Sequence, residues 1–232
     1  NDAPTAIGVN GTLTDNKIAE NTNTSSRIEV GTIAITDDAL GTNTVTLTGT
    51  DSTHFEVDSG KLYLKAGTVL DYEAQSSYAV TVKAEDTSVT GASPVSTVFS
   101  LTLTDANDNA PVFSSGATGS VAENAPTSTV IYKAVTSDAD GTPSHRAVSY
   151  SLKTGAGDET LLNINGTTGE VTLKASANYE TKSSYSFTVL ATNLGTDGIT
   201  LSSEQAVTVS VTDVNDAPTA IGVNGTLTDN KI

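Results

Sequence analysis

There is no cysteine, methionine or tryptophan in these 232 residues, and only 11 lysines and arginines stand against 27 aspartates and glutamates. Without cysteine there is neither a disulfide framework nor a thiolate metal site, which removes zinc-ribbon and iron–sulfur chemistry. With so few basic residues and a formal net charge of -16, nucleic acid is excluded as a partner, because phosphate binding needs clustered Lys and Arg. The acidic surface favours cations instead and keeps a long array soluble. No apolar run reaches the length of a membrane span and no signal peptide is visible. A chain without methionine is expected to be an internal piece of something longer. Aromatics are scarce, at 5%, which leaves little to stack on sugar rings.

Repetition is what the sequence has in abundance. NDAPTAIGVNGTLTDNKI occurs at Asn1–Ile18 and again, unchanged, at Asn215–Ile232. The parent is therefore expected to carry tandem copies of a unit about this long. A weaker repeat lies inside the unit. IAEN at Ile18–Asn21 matches VAEN at Val121–Asn124, and LDYEAQSSYAVTV at Leu70–Val82 matches ANYETKSSYSFTV at Ala177–Val189. TDANDNAP at Thr104–Pro111 matches TDVNDAP at Thr212–Pro218. The offsets of 103 to 108 residues divide the chain into a first domain at 1–109, a second at 110–216, and the start of a third at 217–232. That last piece lacks its remaining strands and is expected to be mostly disordered.

Within each repeat the apolar residues alternate. Tyr78, Val80, Val82 and Ala84 do so, as do Tyr185, Phe187, Val189 and Ala191; Phe99, Leu101 and Leu103 match Val207, Val209 and Val211. Ile33 with Ile35, Val45 with Leu47, and Leu62 with Leu64 supply further strand faces. Asp58-Ser59-Gly60 and Thr167-Thr168-Gly169 read as turns. No stretch keeps a 3.6-residue period. The fold expected is all-β: two tandem Greek-key β-sandwiches of about seven strands each, arranged end to end.

Acidic residues fall in short motifs near predicted strand ends. The first repeat offers Glu20, Asp71 and Glu73, Asp86, and the run Asp105-Ala106-Asn107-Asp108-Asn109. The second offers Glu123, Asp138 and Asp140, Glu180, Asn193, Asp213, Asn215 and Asp216. Calcium takes six to eight oxygen ligands, and alternate residues of an extended segment point to one side, so each pair can grip an ion. Scattered acids such as Asp51, Glu56, Asp158 and Glu159 read as solvated surface. His54 and His145 are isolated and no nucleophile elbow accompanies them, so no catalysis is expected.

In order along the chain, these motifs resemble the cadherin repeat: an xEN near the first strand, then LDxE, AxD, DxNDNxP and DxD. The segment TIAITDDALGTNTVTLTG also looks like repeats of very large bacterial surface proteins, the bacterial adhesins. The cadherin resemblance implies three calcium ions. The first would take Glu20, Asp71, Glu73 and Asp108. The second would share Glu20, Glu73 and Asp108 and add Asp105, the Ala106 carbonyl and Asp140. The third would take Asn107, the Asn109 carbonyl, Asp138, Asp140 and Asn193, the last standing where the family has Asp. The third ion is therefore expected to bind most weakly. A second junction, with Glu123, Glu180, Asp213, Asn215 and Asp216, departs further, since Asn178 replaces the Asp of LDxE and Leu40 replaces a carboxylate. Fewer or weaker ions are expected there.

The function this implies is a calcium-binding spacer or adhesion segment of an extracellular or cell-surface protein. Its expected partners are neighbouring repeats of the same chain and a cell-surface protein or carbohydrate. The rival is a carbohydrate- or protein-recognition module, including one accessory to a polysaccharide-active enzyme. Tyr63, Tyr132 and Tyr150 are the aromatics such a module would use.

Overall fold

A computed structural model describes residues 1–217; the expectation of disorder for 217–232 falls, Ala217 apart, outside the described residues. The architecture is all-β. Among the described residues the only helical pieces are three-residue 3-10 turns at Thr14–Asn16, Ser52–His54 and Glu159–Leu161. No helix there is long and apolar enough to cross a membrane. The chain forms two compact units. One holds residues 1–111 together with 137–147 and 193–201; the other holds 112–136, 148–192 and the chain from 202 onward.

In the first unit two four-stranded sheets carry the core. One runs Ala6–Gly11, Ile28–Thr36, Lys61–Leu64, Phe55–Asp58 in spatial order; the other runs Lys17–Ala19, Val95–Thr104, Ser77–Asp86, Asn43–Thr48. Eight strands stand here where about seven are expected, because the first is divided. Ala6–Gly11 pairs antiparallel with Ile28–Thr36, and after the Thr14–Asn16 turn Lys17–Ala19 pairs parallel with Val95–Thr104. This change of sheet brings Glu20, one residue beyond the short strand, beside the end of the last strand.

The alternation in the sequence is the alternation in the sheets. Tyr78, Val80, Val82, Phe99, Leu101 and Leu103 are buried together with Val30, Phe55, Leu62 and Leu64. Ile33 and Ile35 are half-buried; the register shift between Glu29 and Gly31 adds one residue to the strand, so that Ile28 and Ile33 both pack on the core and Val30 is buried as well. Asp58-Ser59-Gly60 closes a two-residue hairpin between Asp58 and Lys61, with φ of 49° at Ser59 and 75° at Gly60. The second unit has its own core, in which Tyr185, Phe187, Val189, Val207, Val209 and Val211 pack on Ile131, Tyr132, Leu162, Val171 and Leu173.

Two acids read as plain surface have a structural task. Asp51 accepts from the Ala79 N–H at 2.8 Å, and Asp158 accepts from the Ser186 N–H at 2.8 Å. A carboxylate that caps a strand N–H in this way is part of the framework, and the repeat spacing of the two pairs is the signal that was passed over. Glu159 likewise accepts from the Gly155 N–H at 2.8 Å, and Glu56 pairs with Arg27 at 3.0 Å.

Leu101 is fully buried. Leu101→Ala is expected to cost about 2–5 kcal/mol, while Val98→Thr on the exposed face of the same strand stays within about 0.5 kcal/mol. Urea denaturation of both variants checks this.

Candidate metal centre

Every residue of the first implied ion cluster lies in the first unit, which includes two loops of the second sequence repeat, 137–147 and 193–201. Glu20 is the centre of the arrangement. It is 4% exposed, and its two carboxylate oxygens accept from two backbone donors, the Tyr72 N–H at 2.5 Å and the Ala106 N–H at 2.6 Å. One side chain thus fixes the LDYE segment and the Asp105–Asn109 run. Carboxylate oxygens of Glu20, Glu73 and Asp105 come within 4.8 Å of one another. Asp71 turns its own segment by accepting from the Ala74 N–H at 2.8 Å.

The loop at 138–142 closes on this group through its backbone. The Gly141 N–H donates to Glu73 and Asp105, both at 3.1 Å, and the Thr142 N–H donates to Asp105 at 2.6 Å. Gly141 has no room for a side chain, as a Cβ would meet the Tyr72 ring. Asp140 is 1% exposed; its Oδ1 accepts from the Asn109 N–H at 3.1 Å, whereas its Oδ2 is buried without a hydrogen-bond partner. Asp71, Glu73, Asp108, Asn109 and Ala139 line a cleft of about 320 Å³ with Val69 and Leu70.

The electrostatics are those of anions crowded without counter-charge. Burial, then a hydrogen bond with Asp105, then the charge of Glu20 push Glu73 up to about 7. Burial opposes ionisation of Asp105 as well, but donors from Thr142 and Gly141 outweigh it and hold that carboxyl below its ordinary range. Burial and the neighbouring Glu20 and Asp140 raise Asp108, and burial, with Asp140 adding, raises Asp138. Among the described residues no Lys or Arg pairs with any of these groups; Arg27 pairs instead with Glu56 and Asp58, and Lys61 with Glu29. All-oxygen donors, an orphaned buried carboxylate oxygen and no Lys or Arg partner among the described residues make a donor set that fits a hard dication at the first two positions.

Asn107 and Asn193 are both fully buried. Asn193 donates to Asp138 Oδ2 at 2.7 Å, the His145 carbonyl at 2.9 Å and the Asn109 carbonyl at 3.3 Å. Two residues here escaped the sequence reading. His145, treated as isolated, is 3% exposed, with Nδ1 2.9 Å from Asp105 and Nε2 3.1 Å from Thr196 Oγ1. Asp197 accepts from the Asn107 N–H at 3.0 Å. Nothing in either residue's local spacing marks it; both reach the group through loop folding. His54 lies edge-on to the Tyr78 ring.

The second cluster repeats the plan in the second unit. Glu123 is buried and accepts from the Tyr179 N–H at 2.9 Å and the Val214 N–H at 2.7 Å, donors that also hold its carboxyl below its ordinary range. Glu123, Glu180 and Asp213 bring ligand atoms within 4.8 Å of one another. Asn178 Oδ1 accepts from the Thr181 N–H at 2.8 Å, so it keeps the turn made by Asp71 while giving up the charge. Asp216 accepts from the Asn124 side chain at 3.0 Å, and Asn215 is exposed.

The family model for the cadherin domain matches residues 117–212. Over that stretch the chain is similar to a cadherin domain. Human protocadherin Fat 4 is 33% identical over 220 residues, which is 93% of this chain and 4% of that protein. The fruit-fly protein dachsous (Drosophila melanogaster) is 33% identical over 75% of the chain and 5% of its own length. The chain thus spans a few per cent of these relatives. Among solved structures, extracellular cadherin domains 3–6 of protocadherin gamma B2 superpose with a TM-score of 0.75 at 27% identity, over 93% of this chain and 51% of that one. The all-β sandwiches are therefore cadherin-like Greek keys.

In ion-free protein a carboxyl raised to about 7 retains a proton that the unfolded chain releases above about 4.5, so its effect on stability turns unfavourable as pH rises through that window. Asp108 and Asp138 act in the same direction, and Asp105 in the opposite one, lower in pH. With EDTA present, the melting temperature is expected to fall between about pH 5 and about pH 7.5, and Glu73→Gln to flatten that slope. Thermal melts across the pH range check this.

Proposed function

We propose that this chain is a calcium-binding segment of a cadherin-type extracellular or cell-surface repeat protein, acting as a spacer or adhesion module and not as an enzyme. The observation that carries the reading is the group around Glu20: three carboxylates with oxygens within 4.8 Å, no Lys or Arg paired with them among the described residues, and Asp140 Oδ2 buried without a hydrogen bond. The repeats 1–109 and 110–216 are taken as its covalent units. Glu20, Asp71, Glu73, Asp105, the Ala106 carbonyl, Asp108 and Asp140 would hold two ions. Bound calcium supplies the positive charge that this set of oxygens lacks.

The chain's own residues do the rest. Glu20 holds the LDYE turn against Ala106, and Asp105 holds the 138–142 loop through Gly141 and Thr142. Ion binding is thereby coupled to the order of loops remote in sequence, and it stabilises the folded chain by mass action. Glu123, Glu180 and Asp213 form a second, poorer site, because Asn178 brings no charge.

Direct recognition of a carbohydrate through the three tyrosines has less to support it. Tyr132 is buried and its hydroxyl meets Ser115 and Gln205, Tyr150 meets Thr136, and Arg27 sits 4.1 Å over the ring of Tyr63. The likeness to bacterial surface repeats rests on Thr32–Gly49 alone, while the relatives named above are a human and a fruit-fly protein.

Calcium at about a hundred times its dissociation constant is expected to stabilise the fold by about 2.7 kcal/mol per strong site. Extracellular modules bind at about 10⁻⁴ to 10⁻³ M. Denaturation with calcium, with magnesium and with EDTA measures the gain. Asp140→Asn should remove most of it, and Glu180→Gln much less. No calcium-dependent shift in the native chain would overturn the reading.

A further inference from the structure

The third position implied by the cadherin resemblance has a different chemistry from the first two. Two of its implied ligands, Asp138 Oδ2 and the Asn109 carbonyl, converge there with a third oxygen, the His145 carbonyl, while Asn107 Oδ1 and Asp140 Oδ2 beside them are buried without a hydrogen-bond partner. The group that the three converging oxygens surround is the amide nitrogen of Asn193, at 2.7 Å from Asp138, 3.3 Å from Asn109 and 2.9 Å from His145. We propose that the Asn193 amide takes the place of the third ion, so that this junction is a two-ion site whose third tie is a side-chain NH₂. The proposal rests on the calcium reading above and specifies its stoichiometry.

The orientation of the amide follows from its surroundings. On its other side Asn193 Oδ1 receives two donors, the Leu201 N–H at 3.3 Å and Asn107 Nδ2 at 3.4 Å. Rotating the amide by half a turn would set its NH₂ against those two donors and its oxygen against three oxygens. An Asn amide is assigned by such a network, and here both faces agree. Calcium binds oxygen at about 2.3–2.6 Å, so an ion held by these three oxygens would need the space the nitrogen fills. Both cannot be present.

The equivalent position of the first repeat is the internal control. Asp86, like Asn193, lies at or near the end of the long strand that follows the LDYE-type segment, and it too is buried. Its Oδ1 accepts from the Ser88 N–H at 2.9 Å, just as Asn193 Oδ1 accepts from Leu201. Its Oδ2 is buried with no hydrogen-bond partner. A carboxylate can satisfy a backbone donor with one oxygen and offer the other to a cation. Asn can do only the first, and its second arm is a donor. The change from carboxylate to amide therefore does more than remove a charge: it replaces the ion's last ligand with a group that occupies the ion's place. His145 reaches the same point through its backbone carbonyl, a contact independent of its ring.

Isothermal titration calorimetry of the full 232-residue chain with calcium chloride, native and Asn193→Asp, tests this. The variant is expected to bind one more ion per chain than the native protein. In EDTA its melting temperature should drop by at least about 2 °C, since a donor among three oxygens becomes a fourth acceptor. Equal stoichiometry overturns the proposal. Equal and non-zero values leave the calcium reading intact, whereas zero in both removes that reading as well. Should the variant fail to fold, NMR of the native chain decides. The Asn193 side-chain NH₂ resonances should stay protected from exchange both in EDTA and at saturating calcium. Loss of that protection on adding calcium means an ion has displaced the amide, and the proposal falls.

Discussion

A buried carboxylate with both oxygens committed to backbone N–H groups is the contact on which the acidic end of each repeat depends. Glu20 joins three chain segments that are far apart in sequence: the short strand that has just changed sheets, the turn at Tyr72 and the run beginning at Ala106. Glu123 does the same with Tyr179 and Val214. Two charge-assisted hydrogen bonds hold the anion in place, but they do not neutralise it. Around it burial, with the charge of Glu20 adding, raises Glu73 and Asp108, while donors from Thr142 and Gly141 hold Asp105 down. The fold thus builds a site of uncompensated negative charge as a consequence of its own backbone ties.

Where the basic residues lie makes that charge deficit local. Arg27, Lys61, Lys133, Lys153 and Lys182 form ion pairs elsewhere on the units, with Glu56 and Asp58, Glu29, Glu170, Glu204 and Asp158. Such exposed pairs contribute little to stability, about 0–1 kcal/mol each. Their effect is on distribution, since they leave the carboxylate groups at the strand ends without a side-chain cation. With no thiolate in the chain, the side-chain donors gathered there are carboxylate and amide oxygens.

Comparison of the two repeats separates framework from charge. Asp51 and Asp158 cap matching strand N–H groups in the same way. Asp71 and Asn178 make the same turn with and without charge. Asp86 and Asn193 each receive a backbone donor, Ser88 two residues on and Leu201 in the following strand, yet one leaves a bare oxygen and the other projects an amide. Exchanging Asp for Asn therefore preserves the local fold, and its consequence is confined to what can bind beside it.

Much was legible in the sequence because it depends on neighbours along the chain. The period-two pattern of Tyr78–Ala84 and Phe99–Leu103 determines which faces are buried, since side chains of a strand alternate whatever the rest of the fold does. The internal repeat determines that the acidic motifs come in matching sets. Other features needed the tertiary structure. The packing of Val30 as well as Ile28 and Ile33 on the core comes from a register shift against another strand, and the work of Asp51 and Asp158 comes from donors in strands about thirty residues away. The burial of His145 beside Asp105, the arrival of Asp197 at Asn107 and the direction of the Asn193 amide depend on loops closing on one another. The sequence by itself determined an all-β chain of two related repeats with oxygen ligands gathered at strand ends, because pattern and composition are local. Only the tertiary structure decided which oxygens remain free and which are already met by a donor, because hydrogen bonding is settled by atoms brought together from distant parts of the chain.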